Sequence, residues 1–156
     1  MIRKKPITKD AALLRMADLC ARGEHCSFEI REKLLKLRLP ASETDEIISY
    51  LVSNRYIDDS RFARAFVRDK VKFSGWGRNK IRMALVMKRI GSSEIREALE
   101  EIDPEEYEEV ATSAARQKAR SLDLNDYNDK AKLFRHLASR GFESAIISKA
   151  IRKIKE

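Results

Sequence analysis

The chain carries at residues 30–48 the stretch IREKLLKLRLPASETDEII, whose apolar positions recur twice farther along. In the three copies these positions are Ile30, Leu34, Leu39, Ile47 and Ile48; Ile81, Leu85, Ile90, Ala98 and Leu99; and Leu133, Leu137, Phe142, Ala150 and Ile151. The interval is about 51 residues, a length that holds about three short helices. Any two amphipathic helices share a few such matches, but one register held three times indicates a repeat. Because each repeat buries one face against the next, we predict an all-α fold of three tandem three-helix repeats that form an elongated array.

Glycine, proline and capping residues divide the array into three modules. The first module, residues 1–57, has a basic N-terminal arm and predicted helices over 9–22, 27–37 and 41–54. The second module, residues 58–102, has helices over 60–73, 76–88 and 92–102. The third module, residues 103–156, has helices over 103–121, 125–139 and 142–156. We expect Ser27 to cap the second helix and Gly141 to end the eighth.

Composition excludes several classes of protein. Of the 156 residues, 43% are apolar and 37% are charged, which is enough apolar content for a small core in each module but not for one large core. No apolar run approaches the roughly 18 residues that span a bilayer. Residues 1–10 include Arg3, Lys4 and Lys5 but lack the apolar stretch of a secretory signal. Two cysteines are too few for a disulfide framework. We therefore expect a monomeric cytoplasmic protein with no membrane contact.

Positive charge is concentrated in the second module. Residues 61–89 contain ten basic residues and one acid, Asp69, a net charge of +9 against +8 for the whole chain. On the fourth helix the basic residues Arg61, Arg64, Arg68 and Lys72 share one face, and Phe62, Ala63, Phe66 and Phe73 share the other. A solvated polar face is one interpretation, but such faces usually mix both signs. The scarcity of acids favours a polyanionic partner, most commonly nucleic acid.

The predicted fifth helix carries both cations and spare apolar residues. Arg78, Arg82 and Arg89 extend the basic surface along one arc. Trp76, Met83 and Met87 form a second apolar stripe, in addition to the Ile81 and Leu85 stripe that faces the core. Two interpretations remain open for the second stripe: burial against the neighbouring module, or contact with an external protein, for which Met and Trp are suitable side chains.

The segment RYIDDSRFA at residues 55–63 joins the first two modules. The adjacent carboxylates Asp58 and Asp59 suggest a metal or catalytic pair, but their position at a helix start favours N-capping. The chain also lacks Gly-x-x-x-x-Gly-Lys-Ser/Thr, so Gly75-Trp76-Gly77 does not predict a nucleotide-binding loop. We predict that this protein is not an enzyme and uses no cofactor or metal.

Several motifs together resemble the RecX regulatory proteins over residues 12–153. They are Glu29 to Leu34, Tyr56-Ile57-Asp58-Asp59 with Arg61-Phe62-Ala63, Gly77, Ile81 to Leu85, and Arg140-Gly141-Phe142 with Ile147 and Ala150. In that family a glycine commonly precedes the apolar residue that ends a module's second helix. Here Gly141 fits this pattern, whereas Arg38 and Arg89 occupy the other two positions.

The resemblance implies three tandem three-helix units, with Asp58, Asp59 and Phe62 as a structural motif. It also implies a regulator that lies along the RecA filament on single-stranded or double-stranded DNA and limits its recombination and ATPase activities. A stand-alone, sequence-independent DNA-binding protein is the alternative. A pure DNA binder gains from spreading positive charge over all its modules, but the third module has 11 basic and 10 acidic residues. This asymmetry favours a mixed protein and DNA target.

Overall fold

The computed structural model describes residues 6–156 as α-helices joined by short turns, with no strand in that range. The helices are α1 (Lys9–Arg22), α2 (Ser27–Lys36), α3 (Ala41–Ser53), α4 (Asp59–Asp69), α5 (Arg78–Met87), α6 (Ser92–Glu100), α7 (Pro104–Ala119), α8 (Tyr127–Ser139) and α9 (Ser144–Lys155). A π-helical turn, Lys70–Ser74, continues α4. The all-α prediction is confirmed. The basic arm with Arg3, Lys4 and Lys5 lies outside the described residues.

The repeat register is confirmed by burial. All fifteen apolar positions of the three copies lie in the interior, and the most accessible of them, Leu39, is only 8% exposed. Leu34, Leu85 and Leu137 occupy equivalent positions and are each fully buried. Helical spacing therefore identified the residues that form the interior of every module.

The apolar side chains form two clusters. Ile30, Leu34 and Ile47 belong to a cluster within the first module. The second and third modules share one continuous cluster, in which Leu85 and Leu133 both take part. The expectation of a separate small core in each module is therefore correct for the first module and wrong for the other two.

Polar contacts across modules follow chain order. The first module contacts the second through hydrogen bonds such as Ser27 N–H to Asp59 Oδ1, 2.9 Å. The second contacts the third through bonds such as Gly77 N–H to Arg140 O, 2.8 Å. Among the hydrogen bonds of residues 6–156, none joins the first module to the third. The second module therefore lies between the other two.

The junction of the second and third modules is a backbone contact between two glycines. A Cβ on Gly77 would lie 2.3 Å from both Gly141 C and Phe142 N. Gly141 has a φ of +99°, and a Cβ there would lie 2.5 Å from Lys80 N. Hydrogen bonds from Gly77 N–H to Arg140 O and from Asn79 N–H to Gly141 O, 3.0 Å, close the contact. Only glycine allows the two backbone segments to approach this closely.

The second helices of all three modules end in the same left-handed conformation. Arg38 has a φ of 61°, Arg89 of 58° and Gly141 of 99°. Behind Arg89, Ile90 N–H donates to Leu85 O at 3.1 Å; behind Gly141, Phe142 N–H donates to Leu137 O at 3.2 Å. Arginine therefore preserves this helix ending without glycine, at a conformational cost of about 1–2 kcal/mol per residue.

Two local expectations are wrong. Cys26, not Ser27, caps α2, and its N–H donates to Glu29 Oε1 at 3.2 Å. Phe73 was expected on the core face of α4 but is 76% exposed. The reason is the π-helical turn, whose extra residue per turn shifts the register so that Val71 points inward instead.

Candidate nucleic-acid and partner interface

The motif around Asp58 and Asp59 joins the first two modules. Asp58 caps α4, its Oδ1 accepting the Arg61 N–H at 3.0 Å, which confirms the capping interpretation for this residue. Asp59 Oδ1 accepts the Ser27 N–H and so caps α2 across the module boundary. Phe62 is 6% exposed and packs on Phe66, with ring centroids 5.7 Å apart. The cross-module role of Asp59 was missed because it depends on how the modules pack.

Arg61 contributes to the same junction. Its Nε contacts Glu24 Oε1 at 2.6 Å. Its Nη2 donates to the carbonyl oxygens of Arg55 and Tyr56 at 3.2 and 3.3 Å. The Arg61 guanidinium is therefore bound to groups of the first module, although the sequence pattern predicted it on the exposed basic face of the fourth helix.

The rest of the α4 face presents its cations beside carboxylates. Arg64 donates to Ser60 Oγ at 2.8 Å and lies 4.0 Å from Glu101 Oε1. Arg68 and Lys72 are exposed and have no ion-pair partner within residues 6–156. All three line a groove of about 390 Å³ whose other side carries the acids Glu101, Asp103 and Glu106. Folding thus places acids from a distant, strongly acidic segment next to the basic stripe, which a local charge count could not detect.

The three arginines of α5 and its C-terminal turn have different surroundings. Arg78 Nη1 contacts Glu143 Oε2 at 2.7 Å in the third module. The Arg89 guanidinium lies 5.2 Å from the Phe28 ring centroid in the first module. Arg82 is exposed and donates to Asn79 Oδ1 at 3.2 Å. Arg78 and Arg89 therefore contact neighbouring modules, and Arg82 is the most available of the three.

The buried Tyr107 completes a cluster with the partly exposed Arg78 and Glu143. The hydroxyl accepts the Arg78 backbone N–H at 2.9 Å and donates to Glu143 Oε1. The Arg78 guanidinium lies 4.0 Å from the Tyr107 ring centroid. Burial opposes the charge of Glu143, but the hydrogen bonds from Tyr107 and Arg78 outweigh it and lower the pKa of this carboxyl. Burial and the hydrogen bond to Glu143 raise the pKa of Tyr107.

The lowered pKa of Glu143 predicts a pH-dependent contribution to stability. A carboxyl with a depressed folded-state pKa stabilises above its unfolded value, near 4.5, and loses this contribution as the pH falls through the lower folded value. At neutral pH we expect Glu143→Gln to lower the free energy of unfolding by about 1 kcal/mol, since partial exposure screens the pair. Urea titrations should show this difference shrinking in acid. The exposed Glu105→Gln serves as control; a difference that is constant with pH would contradict the assignment.

Trp76 lies in the loop before α5, so its predicted place on that helix is wrong. Gly75, in the left-handed conformation with a φ of 64°, ends the π-helical turn, and Gly77 then caps α5. The indole packs edge-on against Phe66, with centroids 6.4 Å apart. The ammonium groups of Lys70 and Lys80 lie 4.6 and 4.4 Å from its centroid. Trp76 is thus half-buried within a basic and aromatic cluster.

Met83 and Met87 form an exposed apolar patch without Trp76. They are 71% and 75% exposed, and Val86, between them on the same face of α5, is 58% exposed. Among residues 6–156 no neighbouring module covers these two methionines, which argues against the first interpretation of the stripe, and contact with an external protein stays a prediction. Their spacing with Val86 was visible in the sequence, but Val86 was not recognised as part of the patch.

Within residues 6–156 no three His, Cys, Asp or Glu side chains come together as metal ligands. In the same range, none of the helices combines the length and apolar character that crossing a bilayer requires.

Two family models match the chain. The model for the second three-helix domain of RecX matches residues 58–99, and the model for the third three-helix domain matches residues 105–151. These matches lie within the second and third modules. The module boundaries at 57/58 and 102/103 themselves stay predictions.

Curated relatives and solved structures carry the same family name. The regulatory protein RecX of Vibrio parahaemolyticus serotype O3:K6 (strain RIMD 2210633) is 31% identical over 144 residues, which cover 92% of this chain and 89% of that protein. That of Clostridium botulinum (strain Eklund 17B / Type B) is 35% identical over 124 residues, 76% of this chain and 58% of that protein.

The structural neighbours agree with the sequence relatives. A crystal structure of regulatory protein RecX superposes with a TM-score of 0.83 at 27% identity, covering 92% of this chain and 73% of that one. RecX from Lactobacillus salivarius, at 22% identity and a TM-score of 0.83, covers 94% of this chain and 96% of that one and supports the fold alone. With the Vibrio protein matched over nearly its whole length, the chain belongs to the RecX family of regulatory proteins.

Proposed function

We propose that this protein is a non-enzymatic regulator that binds the RecA filament on DNA and inhibits its recombination and ATPase activities. Membership of a family of regulatory proteins is the observation that carries the proposal. The fold supplies a matching surface, because three modules stacked in chain order present exposed groups over several helices. Such a surface suits a partner that is itself extended and repetitive.

Two surfaces of the second module support a mixed protein and DNA partner. Met83, Val86 and Met87 form an exposed apolar patch, which in a monomer is typical of a protein contact. Arg82 is adjacent to this patch on α5 and is exposed. Arg68 and Lys72, on the neighbouring α4 surface, have no internal ion pair within the described range and are available to phosphates. A stand-alone DNA binder has no need of the apolar patch.

A pull-down of RecA with and without single-stranded DNA tests the partner. We expect retention of RecA when the DNA is present, and a marked loss with Met83→Ser/Met87→Ser. The exposed pair Leu14→Ser/Leu35→Ser, far from α5 along the chain, is the matched control for removing surface apolar groups. Equal loss in both variants would show that the α5 patch is not a specific contact, and failure of the parent to retain RecA would contradict the proposal.

Direct DNA binding should depend on Arg68 and Lys72. If both contact phosphates, the logarithmic slope of affinity against salt should fall by about 0.7–0.9 for each residue removed in Arg68→Ala/Lys72→Ala. The control Lys33→Ala/Lys36→Ala removes the same charge from exposed positions of α2. Fluorescence anisotropy over a salt series measures both. Slopes that change equally in the two variants would argue against a specific role for the α4 cations.

A further inference from the structure

A groove between α8 and α9 in the third module is lined by four cations and no acid. Its volume is about 480 Å³, and its charged lining residues are Lys130, Arg135, Arg152 and Lys155. None of the four has an ion-pair partner within residues 6–156, although Lys132 and Lys149 on the same helices are paired with Asp129 and Glu108. The cations of the groove therefore lack a counter-charge among the residues that the structure describes.

The near-neutral composition of the third module concealed this surface. Five of its ten acids lie between Asp103 and Glu109, at the start of α7. Glu143 is bound to Tyr107 and Arg78 on the side that faces the second module. Folding thus separates the two signs and leaves one face of α8 and α9 positive. The net charge of the whole module does not reveal this separation.

Two of the cations lie at the same end of the groove, Lys130 where α8 begins and Lys155 where α9 ends. The neighbouring Lys130 lowers the pKa of Lys155. A nearby like charge destabilises the charged form of each ammonium group unless an anion lies between them. An anionic ligand at this end of the groove would remove the repulsion.

Aromatic rings accompany the cations. Tyr127 is 83% exposed and lies at the rim near Lys130, so one face of its ring is open to a ligand. Phe134 is half-buried in the floor, and Ile151 is only 6% exposed. The accessible lining of the groove is mainly apolar, and Tyr127 and Phe134 supply aromatic rings within it. An open ring among cations is typical of single-strand binding, in which bases stack and the backbone follows the charge.

We propose that the groove between α8 and α9 binds single-stranded nucleic acid, with Lys130, Arg135, Arg152 and Lys155 at phosphates and Tyr127 stacked on a base. This site is separate from the second-module surface. Binding at this site does not require RecA, so its test is independent of the test of the regulatory function proposed above.

Stacking is tested with Tyr127. The full chain is titrated into a short fluorescein-labelled oligo-dT and followed by anisotropy. Tyr127→Ala should weaken binding about fivefold or more, because base stacking on an aromatic side chain contributes that much. Tyr127→Phe retains the ring and should bind like the parent. Circular dichroism confirms that both variants are folded. Equal binding by all three proteins, or no binding by the parent, would overturn the proposal.

The charge contribution is tested with two matched double variants. Lys130→Ala/Arg152→Ala removes two groove cations and should reduce the salt slope by about 1.4, since each phosphate contact on a single strand contributes about 0.7. Lys132→Ala/Lys153→Ala removes two cations of α8 and α9 that do not line the groove and should change the slope much less. Equal changes would mean unspecific attraction. Competition by polyglutamate as effective as by unlabelled oligo-dT would assign the groove to an acidic protein, and either result would refute the nucleic-acid site.

Discussion

Gly77→Ala is expected to lower the free energy of unfolding by about 3 kcal/mol or more, at or above the upper end of the usual cost of overpacking. The new methyl group would lie 2.3 Å from backbone atoms of Gly141 and Phe142, which cannot rotate away as a side chain can. Relief requires the second and third modules to separate. That would break the hydrogen bonds from Gly77 to Arg140 and from Asn79 to Gly141.

Gly23→Ala is the matched control for this prediction. Gly23 follows α1, and a Cβ placed there has no neighbour within 4 Å. We expect the control to unfold in urea within about 0.5 kcal/mol of the parent. If Gly77→Ala were equally harmless, the backbone junction between the modules would be incorrect.

Leu85→Ala should cost about 2–5 kcal/mol as a large-to-small change in the core. Leu85 is fully buried in the cluster that the second and third modules share, and Ile81, one turn earlier, is also fully buried. The cavity would therefore be enclosed and would weaken both modules together. A cooperative transition at lower denaturant concentration is the expected observation.

Val86→Ala is the control, because Val86 follows Leu85 on the same helix. It shows whether the effect of Leu85→Ala comes from core packing or from a change in helix propensity. Val86 is 58% exposed, so its truncation should change the free energy of unfolding by no more than about 0.5 kcal/mol. A melting temperature that is unmoved by Leu85→Ala would refute the repeat register itself.

Local periodicity was sufficient to predict the interior of the fold. A helix positions residues i and i+4 on one face whatever surrounds it, so Leu34, Leu85 and Leu137 could be assigned from spacing alone. The same reasoning failed at Phe73, because a π-helical turn changes the residues per turn and leaves no clear signal in the sequence. Trp76 was misplaced for a related reason, since the two glycines beside it end one helix and begin the next.

The candidate site was less predictable because side-chain partners come from other modules. Arg61 and Arg78 looked like surface cations, but Glu24 and Glu143 pair with them across module boundaries. No spacing within one helix reveals such a pair. The groove between α8 and α9 shows the opposite case. The third module has nearly equal numbers of basic and acidic residues, but packing places them on different faces.

Titration of the protein against preformed RecA filaments on single-stranded DNA tests the proposed regulation most directly. RecA ATP hydrolysis is the readout, and Met83→Ala/Met87→Ala is the comparison variant. If the protein acts on a cooperative filament, the parent should inhibit at concentrations well below those that coat the DNA, because one bound copy disturbs many subunits. The variant should need a higher concentration. Inhibition only when the protein saturates the DNA would contradict regulation of the filament and would leave simple competition for DNA as the explanation.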